Sequence, residues 1–124
     1  MYSLILVAIG GSLGAVSRYA IDRLITNFNE SSVLGIFFIN VLGSFLLGIL
    51  IGYWQIDRQY AESSRLILGV GFLGSFTTFS TLTVSVVQMG SSGEVYRGIM
   101  YLGASIILGL VAAICGIMLQ KAFY

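Results

Sequence analysis

Four apolar runs, each about 20 residues long, leave this chain few ways to fold, because that is the length a helix needs to cross a bilayer core. They lie at about 4–25, 33–54, 66–89 and 98–121. A helix satisfies its own backbone hydrogen bonds, as a spanning segment in lipid must. Barrel strands would instead alternate over about ten residues, and no such alternation is visible. The expected fold is therefore all-α, one transmembrane domain over residues 1–124 with four spans. Composition agrees: hydrophobic residues make up 57% and charged residues 9%, against about 25% charged in a soluble domain. So few charges cannot cover a surface facing water, and lipid must cover most of it.

The remaining polarity sits in connectors at 26–32, 55–65 and 90–97. Tyr19, Tyr53, Trp54, Tyr96 and Tyr124 fall near run ends, where interfacial aromatic residues gather. A secretory signal starts with a positive region; here the first basic residue, Arg18, follows the apolar run. The opening segment is expected to stay as the first helix.

Several functions are excluded by what is missing. A net charge of +1 offers no basic field for nucleic acid. One cysteine and no histidine make neither a disulfide framework nor a zinc site within the chain. Cys115 lies inside an apolar run and reads as inert packing. No ionisable side chain lies deep in a span. Arg18 is the nearest, and it can snorkel or pair with Asp22 at i+4. With no acid–base pair and no activated nucleophile, the chain does not read as an enzyme. With no intramembrane acid or histidine relay, passive conduction is favoured over proton-coupled transport.

Basic residues usually fix orientation, because cytoplasmic loops carry more of them. With four spans, the termini and the middle connector share one side. That side holds Arg58, Arg65 and Lys121, and the other holds Arg18, Arg23 and Arg97. Three against three gives the rule nothing to read, which suggests insertion both ways up unless another feature fixes one orientation.

Some residues inside the runs need explaining. Gly10 and Gly14, and Ser44, Gly48 and Gly52, recur at four-residue spacing, which lets helix backbones approach closely in lipid. Asn40 is a polar amide about two turns into the second run. It must find partners, either in an interhelical hydrogen bond or as a donor lining a pore. The third run is the strongest anomaly. Gly69, Gly71 and Gly74 are followed by Thr77, Thr78, Ser80, Thr81 and Thr83. Each glycine costs a helix about 1 kcal/mol relative to alanine, and hydroxyls compete for backbone groups. The pattern fits a helix broken near mid-membrane, tolerated only where it is buried or lines a cavity. It also fits an unbroken, glycine-rich packing helix. Carbonyls freed at a break would suit a hard monovalent cation. In the fourth run Tyr101, Ser105 and Gly109 share a face, either a polar groove or a hydroxylated packing surface.

Three blocks together resemble the Fluc/CrcB family of fluoride channels over nearly the whole chain. They are Gly10-Gly-Ser-Leu-Gly-Ala-Val-Ser-Arg-Tyr19, Asn40-Val-Leu-Gly-Ser-Phe45 and Gly71-Phe-Leu-Gly-Ser-Phe-Thr-Thr-Phe-Ser-Thr81. The resemblance implies a subunit of an antiparallel, dual-topology dimer in the bacterial inner membrane. It implies two pores, each lined by both subunits, that export fluoride passively. It assigns a pore role to Asn40, Phe79, Ser80, Thr81 and Ser105. It implies a central structural sodium ion held by the backbone carbonyls of Gly74 and Thr77 from both subunits, and a structural role for Arg18.

Two positions depart from the family pattern. A second phenylalanine, usual three residues after the first, is Leu82 here, and a second serine in the fourth helix is Gly109. These departures keep open a complementary, even non-conducting, subunit of a heterodimer. A small dual-topology multidrug antiporter matches the length and span number. It would need an embedded carboxylate, and Asp22 lies too near a helix end to serve well.

Overall fold

The computed structural model describes residues 1–29, 32–56 and 61–123. The chain is all-helical, with no strand among the described residues. Its elements are α1 (Tyr2–Asn29), α2 (Ser32–Ile56), α3 (Ala61–Ser64), a π-helical stretch (Arg65–Leu73), α4 (Gly74–Phe76), α5 (Phe79–Ser91) and α6 (Val95–Ala122). Four segments are long and apolar enough to cross a membrane: Tyr2–Phe28, Val33–Ile56, Ala61–Ser91 and Val95–Ala122. No proline interrupts them. The expected Asp57 and Arg58 connector positions lie outside the described residues, as does Tyr124.

Two helix pairs form the body. α1 lies along the π-helical stretch, and α2 lies along α6. Glycine sets both contacts. A Cβ at Gly10 would run into the Ile67 carbonyl oxygen, and one at Gly14 into that of Phe72. Gly48 likewise faces the Ala113 carbonyl oxygen, and Gly116 that of Phe45. Helices in lipid gain no hydrophobic drive toward one another, so close backbone approach is what holds them.

Side chains fill what remains. Ile39, Leu73 and Phe76 form one buried cluster, with Phe72 and Phe76 stacked at 5.7 Å between ring centroids. Ile36, Leu82, Met89 and Tyr101 form another, joining α2, α5 and α6. At one end Trp54 Nε1 donates to Ser64 Oγ at 2.8 Å, and the Arg65 guanidinium lies 5.6 Å from the Trp54 ring centroid. Cys115 is exposed rather than packed inside. α6 is apolar nearly all round, so its sequence does not mark a buried face.

Candidate functional site

Helical dihedrals stop at two residues in the third span. Thr77 has φ −80° and ψ 153°, and Thr78 has φ −147° and ψ 112°, both extended. Hydroxyls make this departure without a proline. Thr77 N and Oγ1 both donate to the Leu73 carbonyl, at 3.1 and 2.9 Å. Ser75 Oγ lies 2.8 Å from the carbonyl oxygens of both Gly71 and Gly11, so it links its own helix to α1. On the far side Thr78 caps α5: its Oγ1 accepts from Thr81 N at 3.3 Å.

Extended residues leave backbone groups without a helical partner, and Asn40 supplies one. Asn40 Nδ2 donates to the Thr78 carbonyl at 3.0 Å, and Thr78 N donates to Asn40 Oδ1 at 2.8 Å. A backbone N–H can only donate, so the amide is oriented with its oxygen toward Thr78 N. One Nδ2 hydrogen remains. In a continuous α-helix Thr78 N would bond to the Gly74 carbonyl; here Asn40 takes that donor. Gly74 itself is exposed and lines the cavity described next.

A cavity of about 450 Å³ opens beside this point. Asn40, Gly74, Thr77, Phe79, Ser105 and Leu82 all line it. The Ser105 hydroxyl is buried and has no hydrogen-bond partner, and the same holds for the Tyr101 hydroxyl one turn away. Phe79 opens α5 and is 72% exposed. The cavity is thus lined by Asn40, Phe79 and Ser105, whose buried hydroxyl has no partner, with largely apolar walls.

Other candidate residues stand apart. Ser80 and Thr81 do not line the cavity; their hydroxyls lie 3.4 and 3.1 Å from Thr78 Oγ1. Arg18 is on α1, where its Nε donates to the Ser75 carbonyl at 3.1 Å. Snorkelling and pairing with Asp22 are the two options open in the sequence; Asp22 Oδ1 is buried without a hydrogen-bond partner beside Gly35. Leu82 is 5% exposed and packs against Ile36, Met89 and Tyr101 as well as bordering the cavity. Gly109 lies on the cavity wall, with Ser44 Oγ 3.7 Å from where its Cβ would stand. Ser75 is given no role in the sequence, and Thr78 is marked there only as one of a row of hydroxyls. The Thr78-Phe-Ser-Thr81 spacing of a hydroxyl cap was the available signal for the second.

The model of the family described as CrcB-like protein, Camphor Resistance (CrcB), matches residues 5–117. The chain belongs to the CrcB family. Among CrcB relatives, a fluoride-specific ion channel FluC of Idiomarina loihiensis is 37% identical over 93% of this chain and 89% of its own length. A fluoride-specific ion channel FluC 1 of Geobacillus kaustophilus is 39% identical over 94% of this chain and 96% of its own. A fluoride-specific ion channel FluC 2 of Bacillus cereus is 38% identical over 96% of this chain and 98% of its own. With four membrane-crossing helices, this CrcB chain is a multi-pass membrane protein.

Proposed function

We propose that this chain is one subunit of a fluoride channel in the bacterial inner membrane. The observation that carries the reading is the cavity in which Asn40, Ser105 and Phe79 meet, within a member of a family whose relatives are named fluoride-specific ion channels.

The chemistry follows from these groups. Fluoride holds water strongly, so a pore must replace that water with donors. The free Nδ2 hydrogen of Asn40 and the unpartnered hydroxyl of Ser105 are such donors. Aromatic ring edges carry positive quadrupole character, which suits Phe79 to face an anion. None of these groups is a fixed cation that would trap the ion, and conduction needs weak binding as well as entry. The hydroxyls of Ser80 and Thr81 would extend the polar path along α5. Inside a cell with a negative potential, each fluoride leaving gains about 2.3 kcal/mol per 100 mV.

The working unit is an antiparallel dimer with two pores, in which the third span acts as a broken helix. Three basic residues on each side support insertion both ways up. Phe79 at 72% exposed, beside a cavity open on one side, leaves a face for the second subunit to close. The carbonyls of Gly74 and Thr77, brought together across the dimer axis, would hold a structural sodium ion. A carbonyl relieved of its helical donor, as at Gly74, fits a hard cation. A bound cation would lower the cost of bringing an anion nearby.

Liposomes containing the purified protein alone test this directly. A fluoride electrode should record rapid fluoride efflux once the membrane potential is released by an ionophore. Chloride-loaded liposomes should stay full. Fluoride retention in well-folded, dimeric protein would overturn the homodimeric reading, and rescue by a co-expressed second subunit would establish the heterodimer instead.

A further inference from the structure

Ser44 also lines the cavity, one turn of α2 beyond Asn40 and about 6 Å further along the axis. On α6 Gly109 follows Ser105 at the same spacing. The two helices run parallel, since Gly48 meets Ala113 and Gly52 meets Gln120. Both steps therefore lead toward the same end of the bundle. Past Asn40 and Ser105, α2 and α6 otherwise line the cavity with Gly43, Leu47, Ile106, Leu110 and Ala113. Ser44 thus brings the one polar side chain to that stretch among the described residues.

The Ser44 hydroxyl is engaged but free to leave. Its Oγ donates to the Asn40 carbonyl at 2.8 Å. In an α-helix that carbonyl also accepts from Ser44 N, so it keeps a partner when the hydroxyl turns. Back-bonding of this kind slightly destabilises a helix, and a hydroxyl hydrogen rotates to suit its surroundings. Gly109 leaves the space for that turn: a Cβ there would stand 3.7 Å from Ser44 Oγ, and glycine has none.

An anion that had shed water at Asn40 would otherwise meet a full helical turn of apolar wall. Conduction needs a chain of weak sites rather than a single one. We propose that Ser44 is a further fluoride-coordinating residue, whose hydroxyl turns from the Asn40 carbonyl to the passing anion in the space beside Gly109. This rests on the channel reading of the cavity, and adds to it a residue and the course of the path beyond Asn40.

Fluoride efflux from liposomes, measured beside the unaltered protein, tests the assignment. Ser44→Ala should lower efflux about tenfold, the effect of one lost donor. Its unfolding midpoint should not fall, because alanine is the better helix former. Ser44→Ala combined with Gly109→Ser puts a hydroxyl on the facing wall. That pair should restore efflux to within about threefold of the unaltered rate. A purely structural role for Ser44 would not be rescued from across the cavity. Ser44→Cys, close in size and a weak donor, serves if the alanine variant misfolds, and should show the same loss. Unchanged efflux in a folded Ser44→Ala protein would overturn the proposal and leave the channel reading intact. So would a loss that persists in a double variant eluting like the unaltered protein. Absence of fluoride efflux from the unaltered protein, alone or with a second subunit, would overturn the channel reading and this assignment with it.

Discussion

Asn40 holds Thr78 by both of its backbone polar groups, accepting from the N–H at 2.8 Å and donating to the carbonyl at 3.0 Å. A neighbouring strand would make the same two bonds, but here a single side chain reaches across from another helix. The amide fixes the extended residues in the third span, and its second duty, in the proposed channel, is to offer its remaining hydrogen to the cavity that Asn40 lines. An interhelical hydrogen bond and a pore-lining donor were alternatives in the sequence. The interhelical bonds are formed, and the pore-lining role belongs to the proposed function.

Asn40→Asp separates the two duties only in part, and the expected loss is large. The carboxylate keeps the acceptor for Thr78 N but loses the donor to its carbonyl. It also faces the anion with like charge. Two like charges about 4 Å apart at an effective dielectric of 20 repel by about 4 kcal/mol. Fluoride efflux should fall at least about a hundredfold. Asn40→Asp protein that elutes normally and conducts at the original rate would place the pore elsewhere.

Phe79 offers a cleaner test, because it is 72% exposed within the subunit and is not part of its buried clusters. Phe79→Ile should change the unfolding free energy by no more than about 0.5 kcal/mol. Fluoride efflux should nevertheless drop about tenfold, as an interaction of about 1.4 kcal/mol with a ring edge disappears. The converse change, Leu82→Phe, adds a ring at a buried position with cavity space beside it. In a homodimer that ring edge should raise efflux. Unchanged efflux from a folded Leu82→Phe protein would favour a subunit tuned for a different partner.

Glycine contacts predict opposite signs for two similar substitutions. Gly14→Ala puts a methyl against the Phe72 carbonyl oxygen, so α1 must move away from the third span. A loss of at least about 2 kcal/mol is expected. Gly103→Ala has nothing within 4 Å of the new Cβ. It should gain about 1 kcal/mol from helix propensity. Thermal unfolding of the two purified proteins reads both signs, and a stabilised Gly14→Ala protein would contradict the described packing.

Arg18 should act on stability rather than on flux. Its Nε bond to the Ser75 carbonyl joins α1 to the third span. Arg18→Gln loses a charge-assisted bond of about 2 kcal/mol. The unfolding midpoint should fall while efflux per folded dimer stays within about twofold, a change of roughly 0.4 kcal/mol in barrier. A pure rate defect at full stability would instead make Arg18 part of the ion path.

Much of this was legible because the bilayer limits the answer. Run length marked the four spans, since nothing but a helix satisfies a lone backbone in lipid. Asn40 stood out because an amide in an apolar run is expensive. Its partner did not, because pairing Asn40 with Thr78 needs α2 and the third span already in place. The same holds for Arg18: snorkelling and pairing with Asp22 are the readings its sequence leaves open, and the fold gives it the Ser75 carbonyl as acceptor. Leu82 could not be read as a core residue, since in an apolar segment neither periodicity nor composition tells inside from outside. Cys115 misled for the same reason.

The contacts of Gly10, Gly14, Gly48 and Gly116 constrain how a sequence like this can change over time. Each of these glycines faces a carbonyl oxygen of another segment. When a new methyl strikes a side chain, a second substitution can trim the neighbour and restore the fit. A carbonyl oxygen belongs to every residue type, so no exchange at Ile67, Phe72, Ala113 or Phe45 removes the obstacle. Suppressor mutations for these four positions cannot arise by repacking at the point of contact. They must come from displacing a whole helix, which makes the four glycines harder to replace than any leucine in the core.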